Sequence, residues 1–536
     1  MGGRSNRDRR PRAPGHGVLS PTRPHSVSGG QTAATLPSRL RAACKLAPDA
    51  EALVDDKIRI SWAQLVAYAQ SFAAGLHDRG ISHGDVVLIQ LPNWWETVVA
   101  TWGTWLAGAV VLPVVPIYRA HELAFIVDQV QPAAVITAQR YRGYNHTTEL
   151  QALLHDRKST AVVIAARTAE TTPAADPFET MLDASAKLPA QDASADDIAL
   201  ILYTSGTASS PKGVLHSHRT LLAESASIRT ACRLTSADRI FMPSPLSHIT
   251  GLSYAVVLPA DLGAAAVLLD RWDPRAAADL IENERCTFTV SATPFLRGLT
   301  EAYPARGPAR SHLRTFICGG ADIPHDLVRR AHRVLGTAVV RTYGSTEMPT
   351  LTMADPFGDL DSASSAEGRL IGRNQMDLRI TDQGVTELVC RGPEMFLGYL
   401  DTTLNENSFT ADGYFRTGDT ASIVDGALRI SGRIKDIINR GGEKYSAGEV
   451  ESALAQHPLV ADVAIVGYPD QQLGERACAV VVPAGPVPPT LSDLREHLLA
   501  LGFAGQKSPE RLEVVDELPR TASGKVQKFQ LRQRLG

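Results

Sequence analysis

The 536 residues are 44% hydrophobic and 21% charged, with a formal net charge of -3. At roughly 100–200 residues per domain they make several domains, or one large domain with an appendage. That balance excludes a small cross-linked scaffold, an acidic disordered chain and the basic surface of a nucleic-acid binder, so small-molecule chemistry is the default.

Six cysteines, Cys44, Cys232, Cys286, Cys318, Cys390 and Cys478, form no CxxC pair. Neither a disulfide framework nor a thiolate zinc site is indicated, and a cytoplasmic location is expected. Residues 1–35 carry Arg4, Arg7, Arg9, Arg10 and Arg12 among prolines and glycines, with no apolar run of a secretory signal. They read as a disordered basic tail. From residue 36 the pattern turns regular. Residues 62–76 are helix-periodic, 86–91 are strand-like, and 98–115 read as a buried helix turning into a buried strand rather than a membrane span. Trp94, Trp95, Trp102 and Trp105 fall around a buried helix face, so core packing is expected of them. Further strand-like runs at 133–136, 161–165, 198–203, 265–269, 288–290 and 315–317, mostly alternating with helical patterns, predict an α/β fold with parallel sheets. After Gly432 the pattern becomes a small α+β unit: helices at 448–456 and 491–501, strands at 463–466 and 477–482, and a loop at 483–490. The expected division is a tail at 1–35, a large multi-sheet domain at 36–434, and a small mobile domain at 435–536 joined at a hinge.

The segment with the most chemistry follows the apolar run 198–202: Tyr203-Thr204-Ser205-Gly206-Thr207-Ala208-Ser209-Ser210-Pro211-Lys212-Gly213. Small residues let backbone N–H groups approach an anion, hydroxyls add donors, and Lys212 supplies a point charge for a polyphosphate. The spacing is not that of a P-loop, and a flexible surface loop is the plain alternative. His216 and His218 could form a metal pair, but no third ligand stands at recognisable spacing, and the segment reads as the entry to a helix.

Four more signatures follow: Pro245-Leu246-Ser247-His248-Ile249-Thr250-Gly251, Tyr343-Gly344-Ser345-Thr346-Glu347, Tyr414-Phe415-Arg416-Thr417-Gly418-Asp419 with Gly432-Arg433-Ile434-Lys435-Asp436, and Pro519-Arg520-Thr521-Ala522-Ser523-Gly524-Lys525. Together with the hydroxyl-rich loop they resemble, in order, the AMP-forming adenylating superfamily of acyl-CoA synthetases, luciferase and peptide-synthetase adenylation domains. The resemblance runs from about residue 36 to the end of the sequence. One departure stands in the loop, where Ala208-Ser209 replace the usual Thr-Gly. A Cβ in place of glycine restricts close backbone approach, so weaker nucleotide handling is expected.

The resemblance implies an acid-thiol ligase using ATP, Mg²⁺ and coenzyme A. Thr204, Ser205, Gly206, Thr207 and Lys212 would hold the ATP phosphates. Glu347 would bind magnesium, which commonly takes one or two carboxylates plus phosphate oxygens; the plain alternative is a helix-opening cluster at 345–347. Gly320, Ala321, Tyr343, Gly344, Ser345, Thr346, Asp419 and Arg433 would hold AMP, with Asp419 accepting the ribose hydroxyls. Lys525 would stabilise charge during attack on the α-phosphate. Lys435 matches the hinge, and Gly441, Gly442 and Lys444 the coenzyme A channel. His248, Gly251, Phe295, Cys318 and Gly319 would line the acyl pocket.

His248-Ile249 is unlike the aryl-acid activators, and no Asp stands in the segment Pro243-Ser244-Pro245 to hold an amino group, so an unaminated acid of short to medium length or alicyclic shape is expected. No carrier segment follows Lys525, so coenzyme A is the expected acceptor. The alternatives are a ligase handing the acyl group to a separate carrier protein, or a degenerate nucleotide-binding homologue. No nucleic-acid partner and no integral membrane segment are expected, and a homodimer is compatible with the sequence.

Overall fold

The strand Val86–Gln90 is buried at every position, and its alternation serves two cores at once. Val86 and Leu88 join one apolar cluster, Val87 and Ile89 another. Burial on both faces marks a parallel strand covered on each side. In the computed structural model, which describes residues 34–168, 175–182, 193–204, 211–306, 311–320, 323–381, 384–440, 443–520 and 526–535, this strand sits inside an eight-stranded sheet. Its order is Gly398–Tyr399, Lys212–Ser217, Ile198–Thr204, Val110–Pro113, Val86–Gln90, Ala134–Ala138, Val162–Ala166 and Asp176–Pro177. The sheet is parallel except at Lys212–Ser217, which runs antiparallel to both neighbours. The tail at 1–33 lies outside the described residues, while Thr35 caps the helix Leu36–Leu46.

A nine-stranded sheet faces the first, with Ala338–Tyr343, Thr315–Cys318, Phe288–Ser291, Arg239–Met242, Ala265–Leu268 and Glu51–Asp55 as its parallel centre. Between the sheets lie the helices Trp62–Asp78 and Trp95–Leu106. They approach closely because position 103 is glycine: a Cβ there would stand 2.7 Å from a ring carbon of Phe72. Trp102 and Trp105 meet edge to face at 5.0 Å, and the Trp105 indole N–H donates to the Ala199 carbonyl at 2.8 Å. Buried indoles that satisfy their N–H in this way are core residues. Helices Pro274–Asn283, Thr293–Ala302 and His325–Leu335 cover the far face of the nine-stranded sheet, and Ala120–Val130 with His146–Asp156 cover that of the other.

Two sheets follow. Gln375–Ile380, Thr386–Arg391, Phe415–Val424 and Ala427–Arg433 form an antiparallel four-stranded sheet. A single 3₁₀ turn, Ile434–Asp436, then leads into a five-stranded sheet built on the long pair Val460–Asp470 and Gly474–Pro483, with Ala447–Leu454, Leu491–Ala500 and Lys528–Leu535 as its helices. At this junction the Ser446 hydroxyl donates to the Ser431 carbonyl at 2.5 Å, and Asp436 pairs with Arg532 at 2.7 Å. Gly432 has φ +148°, and a Cβ there would stand 2.1 Å from the Ser446 hydroxyl, so only glycine admits that contact. No helix among the described residues is long and apolar enough to cross a membrane.

Candidate active site

Strand Ile198–Thr204 carries Thr204 to the sheet edge. The expected phosphate ligands Ser205, Gly206 and Thr207, with the departure Ala208-Ser209, lie outside the described residues. The chain returns as the antiparallel strand Lys212–Ser217, with Lys212 in register opposite Thr204. These two strands pair antiparallel along their length. The helix entry expected at 216–218 is where the helix His218–Cys232 begins, capped by Ser217, and residues 213–217, buried without a break, belong to the strand before it. The Lys212 ammonium stands 4.9 Å from the centroid of the Tyr399 ring.

The Tyr399 hydroxyl donates at 2.7 Å to Oε1 of Glu347. Tyr399 was not among the residues read from the sequence; its only signal is the Gly398-Tyr399 pair after an apolar run, which looks like core. The Glu347 turn is held from four sides. Its own carbonyl accepts from the Phe396 N–H at 2.8 Å, and the Ser345 N–H donates to the Met348 carbonyl at 2.8 Å. His216 Nε2 lies 2.7 Å from the Thr346 carbonyl oxygen, and its Nδ1 lies 3.0 Å from the Thr220 hydroxyl. Gly344 permits the turn, since a Cβ there would be 1.9 Å from the Pro349 carbonyl oxygen. No helix starts at 345–347. Among the described residues no Lys or Arg pairs with Glu347. A carboxylate with one oxygen oriented by a phenol, whose ring lies under Lys212, fits the requirement of a magnesium ion that takes one or two carboxylates and completes its shell with phosphate oxygens and water.

Beside it, Asp419 and Arg433 are opposite partners on adjacent strands. Arg433 Nε lies 2.9 Å from Asp419 Oδ1, and the Tyr343 hydroxyl donates to Oδ2 at 2.6 Å. Burial, together with the Asp419 charge, pushes the Tyr343 phenol well above its ordinary value, so it remains a donor. Asp419 is 5% exposed. Gly319 and Gly320 end the neighbouring strand Thr315–Cys318. A Cβ on Gly319 would meet the Thr342 methyl at 2.5 Å, and Gly320 has φ +82°. Ala321 lies outside the described residues.

His248 precedes the short helix Ile249–Leu252, and its N–H donates to the Pro245 carbonyl at 3.0 Å. Gly251 packs on the same carbonyl; a Cβ there would be 2.1 Å from its oxygen. His248 and Ser247 line a small cavity with Val114, Tyr118 and Tyr203, the residue just before the phosphate loop. The other expected acyl-pocket side chains are not brought there. Cys318 points to the outer helical layer with Phe316, its sulfur 3.8 Å from the Thr293 hydroxyl, and Phe295 packs edge-on to Trp272 at 4.7 Å. Strand alternation sends residue 318 away from the inter-sheet side.

Lys435 lies on the exposed turn between the last two sheets, its carbonyl accepting from Arg532 at 3.4 Å. Lys444 lies in the strand Glu443–Ser446, in register with Asn439. Gly441, Gly442 and Lys525 lie outside the described residues.

The AMP-binding enzyme family matches residues 40–400, and the AMP-binding enzyme C-terminal domain matches 449–525. The chain is 32% identical over 498 residues to a medium-chain fatty-acid–CoA ligase of Escherichia coli, covering 90% of this chain and 88% of the relative. It is 34% identical over 510 residues to an (octahydro-1H-inden-4-yl)propanoyl:CoA ligase of Mycobacterium tuberculosis, covering 93% and 98%. Among solved structures, ATP-bound MatB from Rhodopseudomonas palustris superposes with a TM-score of 0.83 at 28% identity, covering 93% of this chain and 98% of that one. With its sheets, its Glu347 turn and its Asp419–Arg433 pair arranged as described, the chain belongs to the AMP-binding enzyme family.

Proposed function

We propose that this protein is an acyl-CoA synthetase for an unaminated carboxylic acid of short to medium length or alicyclic shape. One observation carries the reading: Tyr399 gathers Lys212 over its ring and Glu347 at its hydroxyl, next to the Tyr343–Asp419–Arg433 cluster. A phosphate-binding cation, a magnesium-binding carboxylate and a ribose-binding carboxylate are thus neighbours. The substrates named for the Escherichia coli and Mycobacterium tuberculosis relatives, one a medium-chain fatty acid and one a ring-bearing propanoyl group, support the acid class.

The chemistry has two steps. A carboxylate oxygen of the acid attacks the α-phosphorus of ATP and pyrophosphate leaves; the thiol sulfur of coenzyme A then attacks the acyl carbonyl and AMP leaves. Lys212 and the loop before it hold the phosphates, and Glu347 would hold Mg²⁺, which when bound offsets polyphosphate charge. Asp419, Arg433, Tyr343, Gly320 and Ala321 are assigned to AMP. His248 and Gly251 are assigned to the acyl entrance. Lys525 is assigned to the first step, Lys435 to the turn of the small domain between steps, and Gly441, Gly442 and Lys444 to the thiol's channel. The unit from about 435 onward is the mobile domain in this reading, and the setting is cytoplasmic.

The half-reactions can be separated. Lys525→Ala abolishes acid-dependent pyrophosphate release, by at least roughly a hundredfold if it supplies a transition-state contact, but leaves thioester formation from supplied acyl-adenylate within a fewfold. Equal loss of both steps removes the assignment of Lys525 to adenylation alone.

A further inference from the structure

Two carboxyl groups lie in the core behind the Glu347 turn, with no role in the reactions above. Glu224, on the helix His218–Cys232, and Glu394, just before Phe396, are both fully buried. Nothing cationic faces them: among the described residues no Lys, Arg or His pairs with either. Donors converge instead. The Tyr254 hydroxyl reaches Glu224 Oε1 at 2.5 Å and lies 2.7 Å from the Thr350 hydroxyl. Ser227, one turn along from Glu224, donates to Glu394 Oε1, and the Asn374 amide donates to Glu394 Oε2 at 2.7 Å and to the Thr350 carbonyl at 3.2 Å.

Glu224 Oε2 receives no N–H or side-chain hydroxyl among the described residues. The Glu394 carboxyl is close enough to act directly on Glu224, beside the donors that Tyr254 and Thr350 supply. Two oxygen acceptors bond only if one carries a proton, and two buried carboxylates cannot both be ionised at close range. A cation between them does not fit a site whose neighbours already point donors inward. Burial first, then the partner's charge, raises the Glu394 carboxyl to about 10.

The pair is wired to the site from both ends. Thr350 lies three residues past Glu347. Phe396 and Tyr399, two and five residues past Glu394, bond the Glu347 carbonyl and carboxylate. The backbone is fitted to the arrangement: a Cβ on Gly372 would stand 2.1 Å from the Ser227 hydroxyl and 2.9 Å from Glu394 Oε1. Tyr254 sits in a π-helical turn, Ser253–Val257, a rare distortion that is frequent at functional sites. The other titratable groups on the packed elements are engaged elsewhere: Asp261 pairs with Arg229 and Arg39, and His216 contacts Thr346 and Thr220.

We propose that Glu224 and Glu394 share one proton and together act as a positioning pair that holds Glu347 and Tyr399 in place for MgATP. This inference rests on the nucleotide-site assignment above but not on the identity of the acid. Its test therefore avoids turnover and uses two readouts. Infrared difference spectra of the whole protein at pH 8 show the C=O stretch of a protonated, buried carboxyl, and both Glu224→Gln and Glu394→Gln remove it, since each leaves one ionised carboxylate bonded to an amide. Calorimetric MgATP binding gives the second readout. In the native protein affinity falls by roughly tenfold between pH 7 and pH 11 as the shared proton is lost. Glu394→Gln flattens that dependence, whereas Glu394→Ala weakens binding at pH 7 as well. A missing infrared band overturns the shared proton. A band present alongside an identical alkaline loss of MgATP affinity in Glu394→Gln overturns the positioning role. MgATP binding that follows the expected pattern while no acid supports turnover leaves this pair standing and sinks the synthetase reading.

Discussion

Among single residues, the most informative is Tyr399, because it joins the Glu347 carboxylate to the Lys212 side of the site. A hydrogen bond to a charged acceptor contributes about 1.5–3 kcal/mol. Tyr399→Phe leaves the ring under Lys212 but removes the hydroxyl from Glu347, so the magnesium concentration for half-maximal pyrophosphate release should rise roughly tenfold. A titration superimposable on that of the native protein would detach Tyr399 from the metal site. Gly251 offers a second test. Alanine there drives a methyl into the Pro245 carbonyl that anchors the His248 N–H. We expect KM for the acid to rise with KM for ATP little changed, and a stability loss of about 1–3 kcal/mol. An unchanged KM for the acid would remove His248 from the acyl entrance. At this scale the motif residues Lys212, Glu347, Asp419 and Arg433 were legible because their chemistry is local to short motifs. Tyr399, Glu224 and Glu394 were not, because an aromatic in an apolar run and a glutamate on a helix acquire meaning only from what lies across the fold.

At the scale of elements, the buried helix His218–Cys232 has a pH signature. His218, its first residue, is 3% exposed, and burial lowers its imidazole to about 4. His146, which begins the helix His146–Asp156 and is buried, is lowered to about 4 by the same cause. In the unfolded chain each takes up a proton near the ordinary value of 6.5, which the folded state refuses. Their contribution is therefore complete above about pH 6.5 and is lost progressively as pH falls toward 4. For His218 the loss is about 2 kcal/mol by pH 5. Urea midpoints measured from pH 7.5 to pH 5 should fall, and His218→Asn should flatten part of the slope; a midpoint independent of pH in this range would contradict the burial argument. The parallel strands were readable as short apolar runs between helical patterns, because burial on both faces leaves no polar alternation to confuse. The four-stranded antiparallel sheet was not, since Gln375–Ile380 has no buried position and Ala427–Arg433 only one. The strand Lys212–Ser217 was not read as one, because Lys212, His216 and Ser217 leave only Val214-Leu215 as an apolar run.

At the scale of the whole molecule, two facing sheets with helices between them and on their outer faces, followed by the four-stranded sheet, carry the residues assigned to the nucleotide. Gly432, Arg433 and Lys435 lead out of that body through one 3₁₀ turn. Ser446 and Arg532 grip the junction by bonds to the Ser431 and Lys435 carbonyls, contacts that the proposed turn of the small domain would exchange. The shift near 432–435 to a compact α+β pattern was visible in the sequence, as was the large α/β body before it. How the acyl cavity is built was not: Phe295 and Cys318 belong to the outer packing layer, a matter of strand facing that motif spacing does not encode.

The central claim is tested most directly by AMP and pyrophosphate release with MgATP across acetate, medium- and long-chain fatty acids, alicyclic acids and aromatic acids, each with and without coenzyme A. The account predicts AMP formation with a medium-chain or alicyclic acid, accelerated by coenzyme A and ending in the thioester. Pyrophosphate release indifferent to coenzyme A, a response confined to aromatic acids, or no release with any acid would contradict it.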